Sequence, residues 1–422
     1  MKMKSTLAKR LSALLLITLF VSLVGCGNGK TPAPESVSTE EKKTEQTEQI
    51  EPATAPEPGQ PEETDVMKIV DRDGNELGTI AKDAICSAAD GGVFYSLFAP
   101  DDESPTGTAE YRFFDKTGKK NFLLGTLENQ GYEAIFTRTE AGGKIYTLAV
   151  TGDLFDDRQD TLLLLSFDPE AGGMKRYVVS EFGFPYAAMA ASDGKLLIMN
   201  HEMSEPRCDK LYEFDPETET IKEVLQFPGY DDSLRGVSAG EDGFYLLRLH
   251  FGDGETVTYI DKYDGDYNKI SETAMNDVLV DAIKDVHGIV DRQDVLNELG
   301  MMASRFFVED GRFMIYENFG LVRLILDLET GEALFARDDY YSVSVGSGSP
   351  VVYSVDFDGD PGEGREIVGM ENGKLTRYDF EPVGDEKLIE QISRSKGGTW
   401  CVLVGDSVPV TVGSAVLYLW TE

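Results

Sequence analysis

The sequence predicts an all-β chain: a seven-bladed β-propeller of four-stranded antiparallel blades, closed by its own two ends and interrupted by one short helical insertion. Two observations carry this. From residue 67 onward, short runs of Val, Ile, Leu, Tyr and Phe are broken by Gly and Asp, which is strand-and-turn text. The breaks are of two kinds, and they alternate along the chain.

The first kind follows an aromatic or aliphatic residue with Asp. It appears as Val70-Asp71-Arg72-Asp73-Gly74, Phe114-Asp115-Lys116-Thr117-Gly118, Phe167-Asp168-Pro169 and Phe214-Asp215-Pro216. It continues as Tyr263-Asp264-Gly265, Leu326-Asp327-Leu328 and, more weakly, Glu371-Asn372-Gly373. Asp and Pro initiate such turns and Gly or Asn supplies positive φ. The second kind is a tight glycine turn: Asp90-Gly91, Gly142-Gly143, Asp193-Gly194, Asp242-Gly243, Asp310-Gly311, Gly346-Ser347-Gly348 and Lys396-Gly397. Seven of each, strictly alternating over a period of 50 residues, give four strands per repeat, the period of a propeller blade.

With the strands of a blade lettered a to d, the glycine turns read as a–b hairpins and the Asp turns as c–d hairpins. The first c–d hairpin has no a–b hairpin before it, and the last a–b hairpin lacks a c–d partner. Ring closure resolves both: the N-terminal hairpin completes the blade that the C-terminus begins. The segments Val408–Val412 and Ala415–Trp420 leave the register of that closure open, since they offer a c strand of their own, with the N-terminus then giving only d.

These repeats resemble bacterial β-propeller repeats as a broad class, and no single family. Ser393-Arg394-Ser395-Lys396-Gly397-Gly398-Thr399-Trp400 is similar to the Asp-box turn of sialidase-type propellers, but Ser395 stands where that motif has its aspartate. The likeness implies a propeller and not a sialidase.

One interval is too long. An insertion at about 274–300 contains Asn276, placed to cap a helix, followed by Val278, Leu279, Ala282, Ile283 and Val286 at helical spacing. A shorter helical piece with Val295, Leu296 and Leu299 follows.

The N-terminus is an address. Lys2, Lys4, Lys9 and Arg10 precede an apolar run, Leu11 to Val24, which is short for a membrane span. It ends in Leu23-Val24-Gly25-Cys26, which resembles the lipobox of bacterial lipoproteins. The resemblance implies a signal peptide at residues 1–25, cleavage before Cys26, and lipid on that thiol and on the new amino terminus. It places the protein on the bacterial cell membrane, anchored by lipid on the extracytoplasmic side. Residues 26–65, rich in Pro, Glu, Thr and Gln, form a disordered tether, and 66–422 the propeller.

The formal charge is -37, which argues against nucleic acid as a partner, since phosphate backbones need basic patches. It favours cations, basic ligands or solubility alone. The three remaining cysteines, Cys86, Cys208 and Cys401, are widely spaced and read as small buried hydrophobes.

Candidate site residues fall in the d–a and b–c loops, which share one face. Acids cluster there: Asp101, Asp102 and Glu103; Asp153, Asp156 and Asp157; Glu202 and Glu205; Asp253 and Glu255. His201 and His250 each lie seven residues after the glycine of an Asp-Gly turn, at equivalent b-strand positions, and His287 belongs to the insertion. Adjacent b strands are too far apart for one metal–nitrogen sphere of about 2 Å, so His201, Glu202, His250, Asp253 and His287 are expected to line a groove for a protein, small-molecule or glycan ligand. No zinc-protease, phosphate-loop or nucleophile-elbow motif is present, and no organic cofactor is implied. A glycan- or peptide-acting hydrolase or lyase with carboxylates on that face is the alternative.

Asp356, Asp358 and Asp360 alternate as in an EF-hand-like or FG-GAP-type calcium loop, with Glu366 as the late carboxylate. Pro361 stands where the EF-hand needs Gly, and Glu366 is one position short of the bidentate ligand. Calcium is the cation such a loop would take.

Overall fold

The computed structural model describes residues 66–422 apart from 102–105, 134–137, 153–160, 184–186, 203–206, 241, 253–254, 288–290, 293–294, 297–303, 319–321, 338–342, 345–350, 355–365, 384–387 and 406–413. The expected Cys26 anchor and tether, Asp253 and the Asp356–Asp360 stretch lie outside the described residues.

The strands run as hairpins joined by the turns expected from the sequence. β1 (Val66–Val70) and β2 (Glu76–Ala81) form the first. β3 (Ile85–Ala89), β4 (Gly92–Pro100), β5 (Gly107–Asp115) and β6 (Asn121–Glu133) follow. Next come β7 (Thr139–Ala141), β8 (Lys144–Thr151), β9 (Thr161–Phe167) and β10 (Met174–Ser180). β11 (Ala188–Ser192), β12 (Lys195–Glu202), β13 (Cys208–Asp215) and β14 (Thr220–Pro228) make one four-stranded sheet. β15 (Asp232–Gly240), β16 (Gly243–Phe251), β17 (Thr256–Tyr263) and β18 (Lys269–Ala274) make another.

After helix α1 (Asn276–His287), β19 (Ser304–Glu309), β20 (Phe313–Asn318), β21 (Val322–Asp327) and β22 (Glu332–Arg337) form a third. β23 (Val343–Ser344), β24 (Val351–Ser354), β25 (Glu366–Glu371) and β26 (Lys374–Tyr378) come next. β27 (Leu388–Arg394), β28 (Thr399–Gly405) and β29 (Ala415–Thr421) end the chain.

Successive sheets are arranged like blades about an axis. First strands lie against first strands: β7 against β11, β11 against β15, β15 against β19, and β3 against β27 and β28. Side chains stitch neighbours together. Ser393 Oγ accepts the Ala88 N–H at 2.7 Å, and Ser238 Oγ accepts the Val308 N–H at 2.8 Å. Burial decays outward within a blade: β16 is buried along nearly its whole length, whereas β18 is exposed throughout. The molecule is thus an all-β propeller of antiparallel blades. Among the described residues no helix is long and apolar enough to cross a membrane.

The recurring Asp has a physical job. In the six turns that carry it, its side chain accepts backbone N–H groups two to four residues on, as Asp71 does from Asp73 and Asn75, Asp115 from Thr117, and Asp264 from Asp266 and Asn268. These are Asx turns, a side chain standing in for a backbone turn.

The structure departs from the sequence reading in three places. First, β29 takes the c position beside β28, and β1 pairs with β29 in parallel, with β2 outside it. Of the two registers the sequence leaves open, the structure takes the one in which the C-terminal strand is c and the N-terminus supplies d; the departure is that this d strand runs parallel to c, with β2 added outside it. Second, β3–β6 and β7–β10 merge into one sheet through β6 and β8. Asn129 in β6 has φ 54°, and this left-handed residue redirects Gln130–Glu133 toward Thr151–Ala149. Third, Asn276 does not cap the helix. Its Oδ1 accepts the Thr258 N–H at 2.8 Å, tying α1 to β17, while the Met275 carbonyl accepts the first helical bond, from Leu279.

The insertion is a wedge. Leu279, Ile283 and Val295 are fully buried in one core with Leu247 and Ile260 of one sheet and Phe306, Met314 and Leu324 of the next. The helix spends its apolar face between two blades. Cys86, Cys208 and Cys401 are free and buried, as expected.

Candidate functional site

The d–a and b–c ends of β10–β17 carry the site. His201 and His250 do occupy matching places, each the penultimate residue of its b strand, β12 and β16. Their settings differ. His201 is buried, with Nδ1 2.9 Å from Asp209 Oδ2. The same carboxylate accepts the Leu234 N–H at 2.7 Å and lies 3.5 Å from Arg207. Burial pushes Asp209 up, but His201, Arg207 and the Leu234 amide outweigh it and hold the carboxyl below its ordinary value. His250 is 39% exposed, with Nδ1 3.0 Å from Asp232.

Glu202 is not a free ligand group. It is buried and accepts from Ser180 Oγ at 2.7 Å, from the Tyr212 hydroxyl at 2.5 Å and from Lys210 at 2.8 Å. Desolvation pulls Lys210 down, but Glu202 and Glu223 outweigh it and hold the ammonium above its ordinary value. Glu255 is likewise engaged, by Arg292 at 2.8 Å and by Asn276 at 3.0 Å. Arg248 joins Asp232, Asp261 and Glu272 at 2.5–2.7 Å and stacks on Tyr259 at 4.6 Å. The side chain of His287 and all of Asp253 lie outside the described residues. Among the described residues no three His, Cys, Asp or Glu side chains gather into a metal site. Of the calcium-loop candidates only Glu366 is described, and it is shared between Arg337 at 3.1 Å and Arg377 at 3.0 Å.

The charged residues are spent on one another. The exposed groups at the same ends of the blades are aromatic, and charge does not point to them. Phe182, Tyr230 and Phe251 are 44%, 54% and 38% exposed. All three sit at d–a or b–c ends of neighbouring blades, and backbone or side-chain bonds hold each of the segments that carry them. Phe182 is held through its N–H to Ser180 and its carbonyl to Asn200. Arg207 bonds Ser233 at 3.0 Å, and its carbonyl accepts the Gly229 N–H beside Tyr230. The Phe251 N–H donates to the Asp231 carbonyl at 2.7 Å. The sequence signal is an aromatic next to glycine in a loop: Phe182-Gly183, Gly229-Tyr230 and Phe251-Gly252. Exposed aromatics on a rigid scaffold are characteristic of binding surfaces.

No protein-family model matches the chain, and no curated protein does. Among solved structures it is similar to the WD40 β-propeller domain of Doa1, at 13% identity over 81% of this chain and 93% of that one, with a TM-score of 0.41. It is similar to the β-propeller domain of the Trilobed protease from Pyrococcus furiosus, described as having an open velcro topology, at 15% identity over 80% and 96%, TM-score 0.42. A chain of the Mitotic Checkpoint Complex gives 10% identity over 94% and 99%, TM-score 0.43. The propeller assignment itself rests on the strand pairings of this chain.

Proposed function

We propose that this protein is a lipid-anchored, extracytoplasmic binding propeller. Cys26 and the 26–65 tether hold it to the bacterial cell membrane, and the Phe182–Tyr230–Phe251 face takes a cell-surface ligand, a glycan or a protein segment. The observation that carries the reading is a contrast on that face: Phe182, Tyr230 and Phe251 are exposed while Glu202, Asp209, Asp232 and Glu255 are engaged in ion pairs. A general acid or nucleophile must be able to meet substrate; Glu202, with three donors on it, does not offer that. Apolar ring faces flanked by hydrogen-bonding groups suit a sugar ring or the side chains of a partner.

The test is an array of glycans and surface peptides probed with the mature chain, alongside Phe251→Ala and Tyr230→Ala. Retention that both substitutions abolish without lowering the melting temperature supports the reading. Ligand that binds equally to the variants overturns it.

A further inference from the structure

The two ends of the propeller lie on opposite faces, and the parallel pairing of β1 is the reason. β28 runs from the a–b turn at Gly398 toward the b–c end, where its Gly405 pairs with Ala415, the first residue of β29. β29 runs back, and Glu422 finishes beside that turn, its N–H on the Gly398 carbonyl at 3.1 Å. β1 lies parallel to β29, with Lys68 opposite Val416 and Val70 opposite Tyr418. So β1 also begins at the b–c end. There Val66 pairs with Ala81, from which Lys82-Asp83-Ala84 lead into β3 as a d–a connection. A fourth strand antiparallel to β29, the ordinary arrangement, would begin on the a–b face. The parallel strand moves that entry by the full height of the sheet, to the face that carries Phe182, Tyr230 and Phe251.

The entry point is held in place. Ile69 and Leu417 are fully buried in one core. Past the end of β1, Arg72 donates to the Asp379 carbonyl at 2.9 Å and lies over the Trp420 ring at 5.7 Å. The chain before Val66 cannot move to the other face without unpairing β1. Its reach is limited as well. Residues 26–65 number 40, and a coil of that length has a root-mean-square span of about 35 Å. A strand of nine residues such as β16 is about 30 Å long. A tether that had to run back past the height of a blade would use most of its span before it met the membrane. A tether leaving from the near face would not.

We propose that the anchored propeller turns Phe182, Tyr230 and Phe251 toward its own membrane. The partner of that face is then a component of the same cell, held in the layer between propeller and bilayer, and not a soluble ligand or the surface of another cell. Residues 26–65 carry ten acids against three bases, and the whole chain a charge of -37. A polyanion is repelled from that gap, so the partner is uncharged or basic. The inference rests on the lipid anchor at Cys26 and on the aromatic face as the ligand surface.

The experiment measures depth and contains no ligand. Gly252→Cys and Asp242→Cys place a thiol just beyond either end of β16, both at exposed positions. Each carries the same fluorophore in the full lipidated chain, on phosphatidylcholine vesicles with a quencher on a small fraction of the headgroups. The expected result is quenching at position 252 that exceeds quenching at position 242 by roughly twofold or more. In a second arm, Cys26→Ser removes the native anchor, and a lipidated copy of residues 26–65 follows Glu422 instead. The order should then reverse, because that end lies on the a–b face. Equal quenching at the two positions with the native anchor, or stronger quenching at 242, would overturn the proposal. So would an order that persists after the anchor is moved, since the tether would not be setting it. The native-anchor arm decides alone if the rearranged chain folds poorly. Failure of the underlying reading shows separately, as a Cys26 without lipid by mass spectrometry or as an aromatic face that retains no ligand.

Discussion

Ile69, in the first described strand, lies beside Leu417, in the last, across a parallel pairing. Both side chains are fully buried in one core with Met67, Tyr95, Phe114 and Leu403. The ends of the propeller thus hold each other, and the seam is packed as tightly as any blade interior. Leu417→Ala removes buried methyl groups that cannot be replaced by collapse at a strand junction. It should lower stability by about 2–5 kcal/mol in urea denaturation. A loss under about 0.5 kcal/mol, within the range of surface substitutions, would mean that the seam contributes nothing.

Arg138 and Glu133 form an ion pair in the interior where the first two blades merge, at 2.7 Å, with side chains 2% and 5% exposed. Arg138 also donates to the Ile85 carbonyl and to Ser96, and lies over the Phe94 ring at 4.9 Å. Removing the arginine leaves a buried carboxylate with its main partner gone. Arg138→Met should cost about 3–5 kcal/mol, and adding Glu133→Gln should recover part of that loss. Chemical denaturation of the three variants measures the coupling; strict additivity would contradict the pair.

Asp209 makes stability depend on acid. Its folded value lies below its ordinary 3.8. Its contribution is therefore present above the unfolded value and is lost as pH falls through the folded one. Wild-type stability should decline with acid below about pH 4, and Asp209→Asn should be less stable at neutral pH with a shallower decline in that window. Parallel curves for the two proteins would show that the His201–Asp209 contact is not linked to folding.

The buried cysteines should be inert. Burial pushes Cys401 up to about 12 and holds Cys86 well above its ordinary value, and the thiolate is the reactive form. A thiol reagent at pH 8 should label neither in the native protein and both in urea, read by mass spectrometry. Rapid native labelling would place these side chains near the surface.

Much of the architecture is written in the turns. Asp71, Asp115, Asp168, Asp215, Asp264 and Asp327 each satisfy backbone amides locally, so each leaves a mark in the sequence that needs no tertiary contact. The closure was legible only as a requirement. That β1 runs parallel to β29 depends on pairing across the whole chain, and nothing local distinguishes it from an antiparallel d strand. Asn276 has the chemistry of a cap, but Thr258, a neighbour only in the fold, claims its oxygen. The site was half legible. Matching spacing placed His201 and His250 on one face correctly, yet the sequence could not show that Glu202 would be sealed by Tyr212 and Lys210. Charge also drew attention away from Phe182, Tyr230 and Phe251, whose exposure is a tertiary fact.

The most direct test of the binding account follows one ligand through contact with the protein. Glycans and peptides retained by the mature chain are eluted and analysed by mass spectrometry, with binding compared in wild type and in the Tyr230→Ala/Phe251→Ala double variant. The account predicts that ligand is recovered chemically unchanged and that the double variant, folded with an unaltered melting temperature, loses at least tenfold in affinity. Recovery of cleaved ligand, with cleavage persisting when the aromatic face is removed, would contradict it.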